Sequence, residues 1–164
     1  MSRTQPRFGA TVRVGNYRVE SHYLRFAADE LRRYQGRKHS LRVMEDSVIR
    51  GTSITDNLGM PRGTDVSNPT HNAAMRLMDV NDPTFKRRAH LRVWVNSTDE
   101  LLRSLPNEQQ QIIRLIYWEG DLTILGVARR LNMAMPTVNR HRNAALLAFA
   151  VHVIGDQILI PLEH

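Results

Sequence analysis

From Asn107 to Phe149 the apolar residues recur at steps of three and four, and no strand-period segment of any length follows. Ile112, Ile113, Leu115, Ile116, Tyr117 and Trp118 are dense enough for a buried helix, which Glu119-Gly120 ends. Val127, Ala128 and Leu131 then mark the inner face of a short helix from Ile124 to Leu131. Val138, His141, Ala145 and Phe149 mark that of the next, starting at Met135-Pro136. Upstream, Leu91, Trp94, Thr98, Leu101 and Leu105 repeat at three–four–three–four steps, predicting a helix from about Pro83 to Leu105 that Pro106 breaks. The fold class this implies is all-α.

The N-terminal third reads less cleanly. Residues 1–15 carry Pro6, Gly9 and Gly15 and are expected to be a flexible arm. Val12-x-Val14 and Tyr17-x-Val19 around Gly15-Asn16 would suit a small hairpin, but a helix starting near Asn16 is the favoured reading. Val19, Tyr23, Phe26, Ala27, Leu31 and Tyr34 would be its stripe. Gly36 is expected to end or bend it, Ser40 to cap a second stretch holding Leu41, Met44, Val48 and Ile49, and Gly51 to stop that.

The expected organisation is thus a basic N-terminal helical region over 16–50, a Gly/Pro linker over 51–69 and a helical domain over 70–155. That domain opens with a short helix after Asn68-Pro69, whose inner face is Ala73, Ala74, Leu77 and Met78. Residues 156–164 form a tail, of which Leu162-Glu163-His164 resembles a cloning-site and tag scar. Its apolar Ile158-Leu159-Ile160 is expected to dock on the domain or on a second chain.

Charge narrows the partner. Of 164 residues, 23 are Lys or Arg and 16 Asp or Glu, a net of +7. Eleven of the basic and five of the acidic residues fall within residues 1–50. Such a balance favours a polyanion, most often nucleic acid. There is no cysteine, which excludes disulfides, zinc–thiolate sites and a cysteine nucleophile and suits a reducing cytoplasm. No apolar run approaches the ~20 residues of a membrane span, and MSRTQPRFG lacks the apolar stretch of a signal peptide. The seven His form no HExxH pair, and there is no carboxylate cluster at ligand spacing, no Gly-rich phosphate loop and no Gly-x-Ser-x-Gly. The expectation is no enzyme, no cofactor and no metal.

The sharpest signal lies in Asp121–Asn143, DLTILGVARRLNMAMPTVNRHRN. Thr123 can cap the short helix. Ala128 is small where two steeply crossing helices nearly touch. Asn132 tolerates a left-handed conformation, and Met133 plugs the turn. The spacing predicts a helix-turn-helix over 123–149. Between Leu122 and Gly155 there is no Asp or Glu, yet Arg129, Arg130, Arg140 and Arg142 all lie there. Acidic side chains on this face would sit against DNA phosphates. Met135, Thr137, Asn139, Arg140 and Asn143 fall on the outer face of the second helix, where such proteins contact base edges. Thr123, Arg129, Arg130 and Arg142 are expected to meet phosphates, although capping alone explains Thr123 equally well. Arg32, Arg33, Arg37 and Lys38 form a candidate second basic patch, for DNA, for RNA polymerase, or merely as a solvated face. His141, Trp94, Tyr117 and Trp118 read as packing residues.

From Leu105 to Gly155 the chain resembles region 4 of bacterial sigma factors: LPNEQQQIIRLIYWEGDLTILGVARRLNMAMPTVNR shows the LP, the Glu-Gln-rich start, Tyr-x-x-Gly, Val-Ala-x-x-Leu-x-Met and Thr-Val of that region. With ELRRY at Glu30–Tyr34 and GTDVSNPTHNAAMRLM at Gly63–Met78, the chain from Val19 on resembles phage late transcriptional regulators of the RinA/ArpU type. That resemblance implies a phage-encoded, sequence-specific activator of late or packaging genes. It would bind double-stranded DNA and RNA polymerase in the cytoplasm of a bacterial host, as a homodimer where two half-sites are read. The chain departs from the pattern at Ala134, where Ser commonly caps the second helix, at Leu125-Gly126, where acidic residues are usual, and at Arg130, often apolar. Two other readings suit the same features. One is a small terminase-like DNA-packaging subunit; the other is an adaptor that binds polymerase or sigma factor without touching DNA.

Overall fold

The described residues of the computed structural model are 10–53, 83–120 and 122–162, with the side chains of 48–53 excepted. Strands β1 (Thr11–Val14) and β2 (Tyr17–Glu20) lead into helix α1 (Ser21–Ser53). Helices α2 (Pro83–Ser104), α3 (Asn107–Tyr117), α4 (Ile124–Leu131) and α5 (Met135–Ile154) follow. A single 3₁₀ turn (Asp156–Ile158) and strand β3 (Ile160–Pro161) end the order. The fold is largely helical, as expected, with a small antiparallel sheet in the order β1-β2-β3 that an all-α reading does not include. No helix among the described residues is long and apolar enough to cross a membrane.

The sheet corrects the last residues of the expected flexible arm and the helix from Asn16, while residues 1–9 of that arm lie outside the described residues. Gly15 sits at φ +60, while Asn132 alone among the described non-glycine residues has positive φ. A two-residue turn with only its first position left-handed is the type II′ hairpin turn, whose twist matches the flanking strands. Val12 pairs with Val19 and Val14 with Tyr17. Val14 and Val19 are buried, and β1 packs on α5. The tail docks on its own chain: Ile158 is buried and Ile160 pairs with Arg18. Leu162, expected to be scar, donates its backbone N–H to the Asn16 carbonyl at 3.2 Å.

Helix α1 also corrects two expected stops, because it runs through both Gly36 and Gly51. A mid-helix glycine costs about 1 kcal/mol against alanine, which packing on either side outweighs: Tyr34 and Leu41 are both buried. The apolar stripe shifts with the helix start. Leu24, Ala27, Ala28, Leu31 and Tyr34 are buried, whereas Phe26, expected inside, is 39% exposed and Val19 belongs to β2. The expected helix after Asn68-Pro69 and all of the linker beyond Ser53 lie outside the described residues; Gly51–Ser53 are helical.

The chain divides into two compact units, residues 1–34 with 98–164 and residues 35–97. The expected separate region over 16–50 is therefore split, its first half grouping with the C-terminal helices. Within the larger unit the reason is visible. Trp118 donates its indole N–H to the Leu31 carbonyl at 2.9 Å, and its ring lies 5.2 Å from that of Tyr34. The Tyr34 hydroxyl bonds the Asp99 carboxylate. Within the smaller unit, Arg37 lies over Trp94 at 4.3 Å, and Arg92 donates to Glu45 from Nε (3.1 Å) and Nη2 (2.5 Å).

Candidate nucleic-acid interface

The larger unit ends in a short helix, a tight turn and a long helix, and each boundary has a local cause. Thr123 has extended backbone, and its hydroxyl accepts the Gly126 N–H at 3.2 Å, capping α4. Asn132 stops α4 by turning left-handed, φ 52 and ψ 45. Its N–H and that of Met133 return to the Arg129 and Ala128 carbonyls, at 3.4 and 2.9 Å. This closes carbonyls that a helix end leaves open. Ala134 then takes the N-cap position of α5 with extended backbone and no side-chain bond, and Pro136 occupies the first turn. The weak cap expected at Ala134 is thus present as geometry.

Behind this pair lies a small apolar core. Ile112 and Leu115 of α3 meet Val127 and Ala128 of α4 and Val138 of α5, with Leu131 and Met133 packed against them. These contacts set the angle at which α5 leaves the turn. Their burial contributes on the order of 1.5–3 kcal/mol per large side chain. Five of the residues read as inner from sequence (Val127, Ala128, Val138, Ala145 and Phe149) are buried, and His141 is half-buried.

The outer face of α5 is open at its leading end. Met135 is 44% exposed and Arg140 is exposed, while Thr137, Asn139 and Asn143 are half-buried. Arg129 and Arg130 are both exposed on α4, but Arg130 lines a separate hollow with Gln111, Arg114 and Glu119. There Arg114 pairs with Glu119, which places a carboxylate in the hollow that Arg130 lines. Thr123 spends its hydroxyl on the cap.

Arg142 lies elsewhere, half-buried, donating from Nε to the Tyr117 hydroxyl at 3.0 Å. It shares an open cleft with Asn143 of α5 and with Arg25, Asp29 and Arg32 of α1. The Arg32 guanidinium pairs with Asp29 at 2.6 Å and stands 5.5 Å from the centre of the Tyr117 ring. The expected second basic patch is therefore divided. Arg32 joins the α5 surface. Arg33 pairs with Glu30 at 3.4 Å. Arg37 and Lys38 belong to the other unit, where Arg37 lies over Trp94. Arg25, Asp29 and the role of Tyr117 were not visible from the sequence. The one available signal is the spacing of Arg25, Asp29 and Arg32, which puts them on one side of a helix. Among the described residues no three His, Asp or Glu side chains gather as a metal site.

Comparison with protein-family models, with curated proteins and with solved structures gave no match to this chain.

Proposed function

We propose that this protein is a sequence-specific DNA-binding transcriptional regulator, an activator of phage late or packaging genes. In this reading residues 123–149 are a helix-turn-helix of the sigma-region-4 kind. α5 enters the major groove and presents Met135, Thr137, Asn139, Arg140 and Asn143 to base edges. Arg129, Arg130 and Arg142 anchor phosphates, RNA polymerase is met by another surface, and the molecule works by binding rather than catalysis. Two half-sites would be read by a homodimer in a bacterial cytoplasm.

One observation carries it. A helix whose inner face is fixed by the Ile112–Val127–Val138 core leaves Met135 and Arg140 exposed at its leading end, in a stretch from Leu122 to Gly155 that contains no carboxylate. An arginine there can fork onto guanine, a contact giving about 1–3 kcal/mol of discrimination. Selection of binding sites from random duplex DNA tests the proposal. One enriched motif, bound with a steep salt dependence, is expected. A chain that enriches nothing and retains no duplex is not this regulator.

The adaptor reading keeps one point in its favour: Leu125, on α4, is 44% exposed. An apolar side chain one helical turn from the exposed Arg129 suits a protein partner as well as a phosphate. Failure of duplex selection together with co-purification of RNA polymerase would favour that role.

A further inference from the structure

The cleft between α1 and α5 holds three guanidinium groups and one carboxylate. Arg25 and Arg32 come from α1, Arg142 from α5, and Asp29 sits among them, with Asn143 adding an amide. A surplus of positive charge gathered from two helices needs a reason, since like charges repel. We propose that this cleft seats a backbone phosphate of the same duplex that α5 reads. The proposal rests on the DNA-binding reading above, and moves Asn143 alone from the base edges to the backbone.

Three features argue for a phosphate. Arg142 is pre-oriented, because its Nε donates to the Tyr117 hydroxyl and the terminal nitrogens bond no other described residue. Arg32 is held over the Tyr117 ring and gives Nη1 to Asp29, so most of its five donors make no bond among the described residues. Arg25 is exposed with no ion pair among the described residues. Guanidinium forks of this kind match phosphate oxygens in pairs. Position argues for DNA as the source. Asn143 follows Met135 by about 12 Å of helix, close to the ~12 Å width of the major groove. A helix with its leading end on base edges then carries the cleft to the groove wall, where the backbone runs. Arg25 and Arg32 thereby join the first helix to the recognition surface, and Asp29 moderates the charge of the seat.

The test is a salt titration of duplex affinity, on the best selected site, for the full chain and three variants at exposed positions. Arg25→Gln and Arg32→Gln are each expected to weaken binding equally on all sequences and to lower the log–log slope by about 0.9. Asp29→Asn is expected to tighten binding with the ranking of sites unchanged, a gain that misfolding cannot mimic. Circular dichroism checks that each variant keeps its helices. Unchanged slopes in both arginine variants, or weaker binding by Asp29→Asn, overturn the cleft alone when the wild type still selects a motif and Arg140→Ala still relaxes it. A wild type that binds no duplex removes the regulator and the cleft together. Inorganic phosphate is the second probe. Saturable phosphate binding lost in Arg32→Gln, beside an unchanged duplex slope, would assign the cleft to a free anion and overturn the proposal.

Discussion

The indole N–H of Trp118 reaches the backbone carbonyl of Leu31, 87 residues earlier, at 2.9 Å. That carbonyl lies inside α1, so it accepts a second donor beside its helical one. The bond fastens the first helix to the end of α3, and Tyr34 stacks against the same indole. Trp118→Phe removes the donor and part of the packing but leaves the carbonyl its helical partner. The expected cost is about 1–3 kcal/mol, read by urea denaturation, with Trp94 as the remaining fluorophore. A loss under about 0.5 kcal/mol would show that α1 is held by its apolar stripe alone.

The N-cap of α5 is a place where a single added oxygen should help. Ala134 has the extended backbone of a cap, φ −68 and ψ 140, and no side-chain bond to the orphan N–H groups beyond it. Ala134→Ser should stabilise the protein by about 0.5–2 kcal/mol. Serine adds no charge, so duplex affinity should hold. A fall in melting temperature would mean that the hydroxyl meets a contact worse than solvent.

Asn132 carries the turn in the left-handed region, φ 52 and ψ 45. A residue without a short polar side chain pays about 1–2 kcal/mol there. Asn132→Ala should lose about that much, and Asn132→Gly should lose little, because glycine adopts the same angles freely. The contrast separates backbone strain from any contact of the asparagine amide. Equal losses in the two variants would place the cost in that amide.

Gly126 lies in the first turn of α4, where an added Cβ would meet Leu122 Cδ2 at 3.5 Å and Thr123 Oγ1 at 3.6 Å. Both are ordinary contacts. Gly126→Ala should therefore stabilise by up to about 1 kcal/mol, the helix-propensity difference. Thermal denaturation decides it; destabilisation would show that the Thr123 cap is displaced by the methyl group.

The short-helix, turn, long-helix segment was legible because its signals are local. Thr123, Asn132 and Pro136 act within one turn of themselves, and Val127, Ala128 and Val138 repeat the period that packing requires. Residues 10–20 were harder, since Val12-x-Val14 and Tyr17-x-Val19 fit either period over so short a span. The hairpin prevails because Gly15 accepts the turn and β1 packs on α5, which no local pattern announces. Gly36 misled in the opposite sense: its propensity cost is real, but a 33-residue helix with buried residues on both sides absorbs it. The cleft was the least visible feature. Arg25 and Arg142 stand far apart in the chain, and only the docking of α1 on the α5 side brings them to one place.

Arg140 and Arg129 should separate reading from anchoring. Both are exposed. Arg140 sits on the outer face of α5, about 8 Å along the axis from its start, and Arg129 near the end of α4. If α5 enters the groove by its leading end, Arg140→Ala should cost about 1–3 kcal/mol on the preferred site and relax one base position. Arg129→Ala should weaken all sequences alike and lower the salt slope by about 0.9. Competition binding against a panel of single-base variants, at two salt concentrations, measures both effects. A uniform loss in Arg140→Ala would move that side chain to the phosphates. An Arg140→Ala protein with unaltered affinity and preference would turn the outer face of α5 away from DNA.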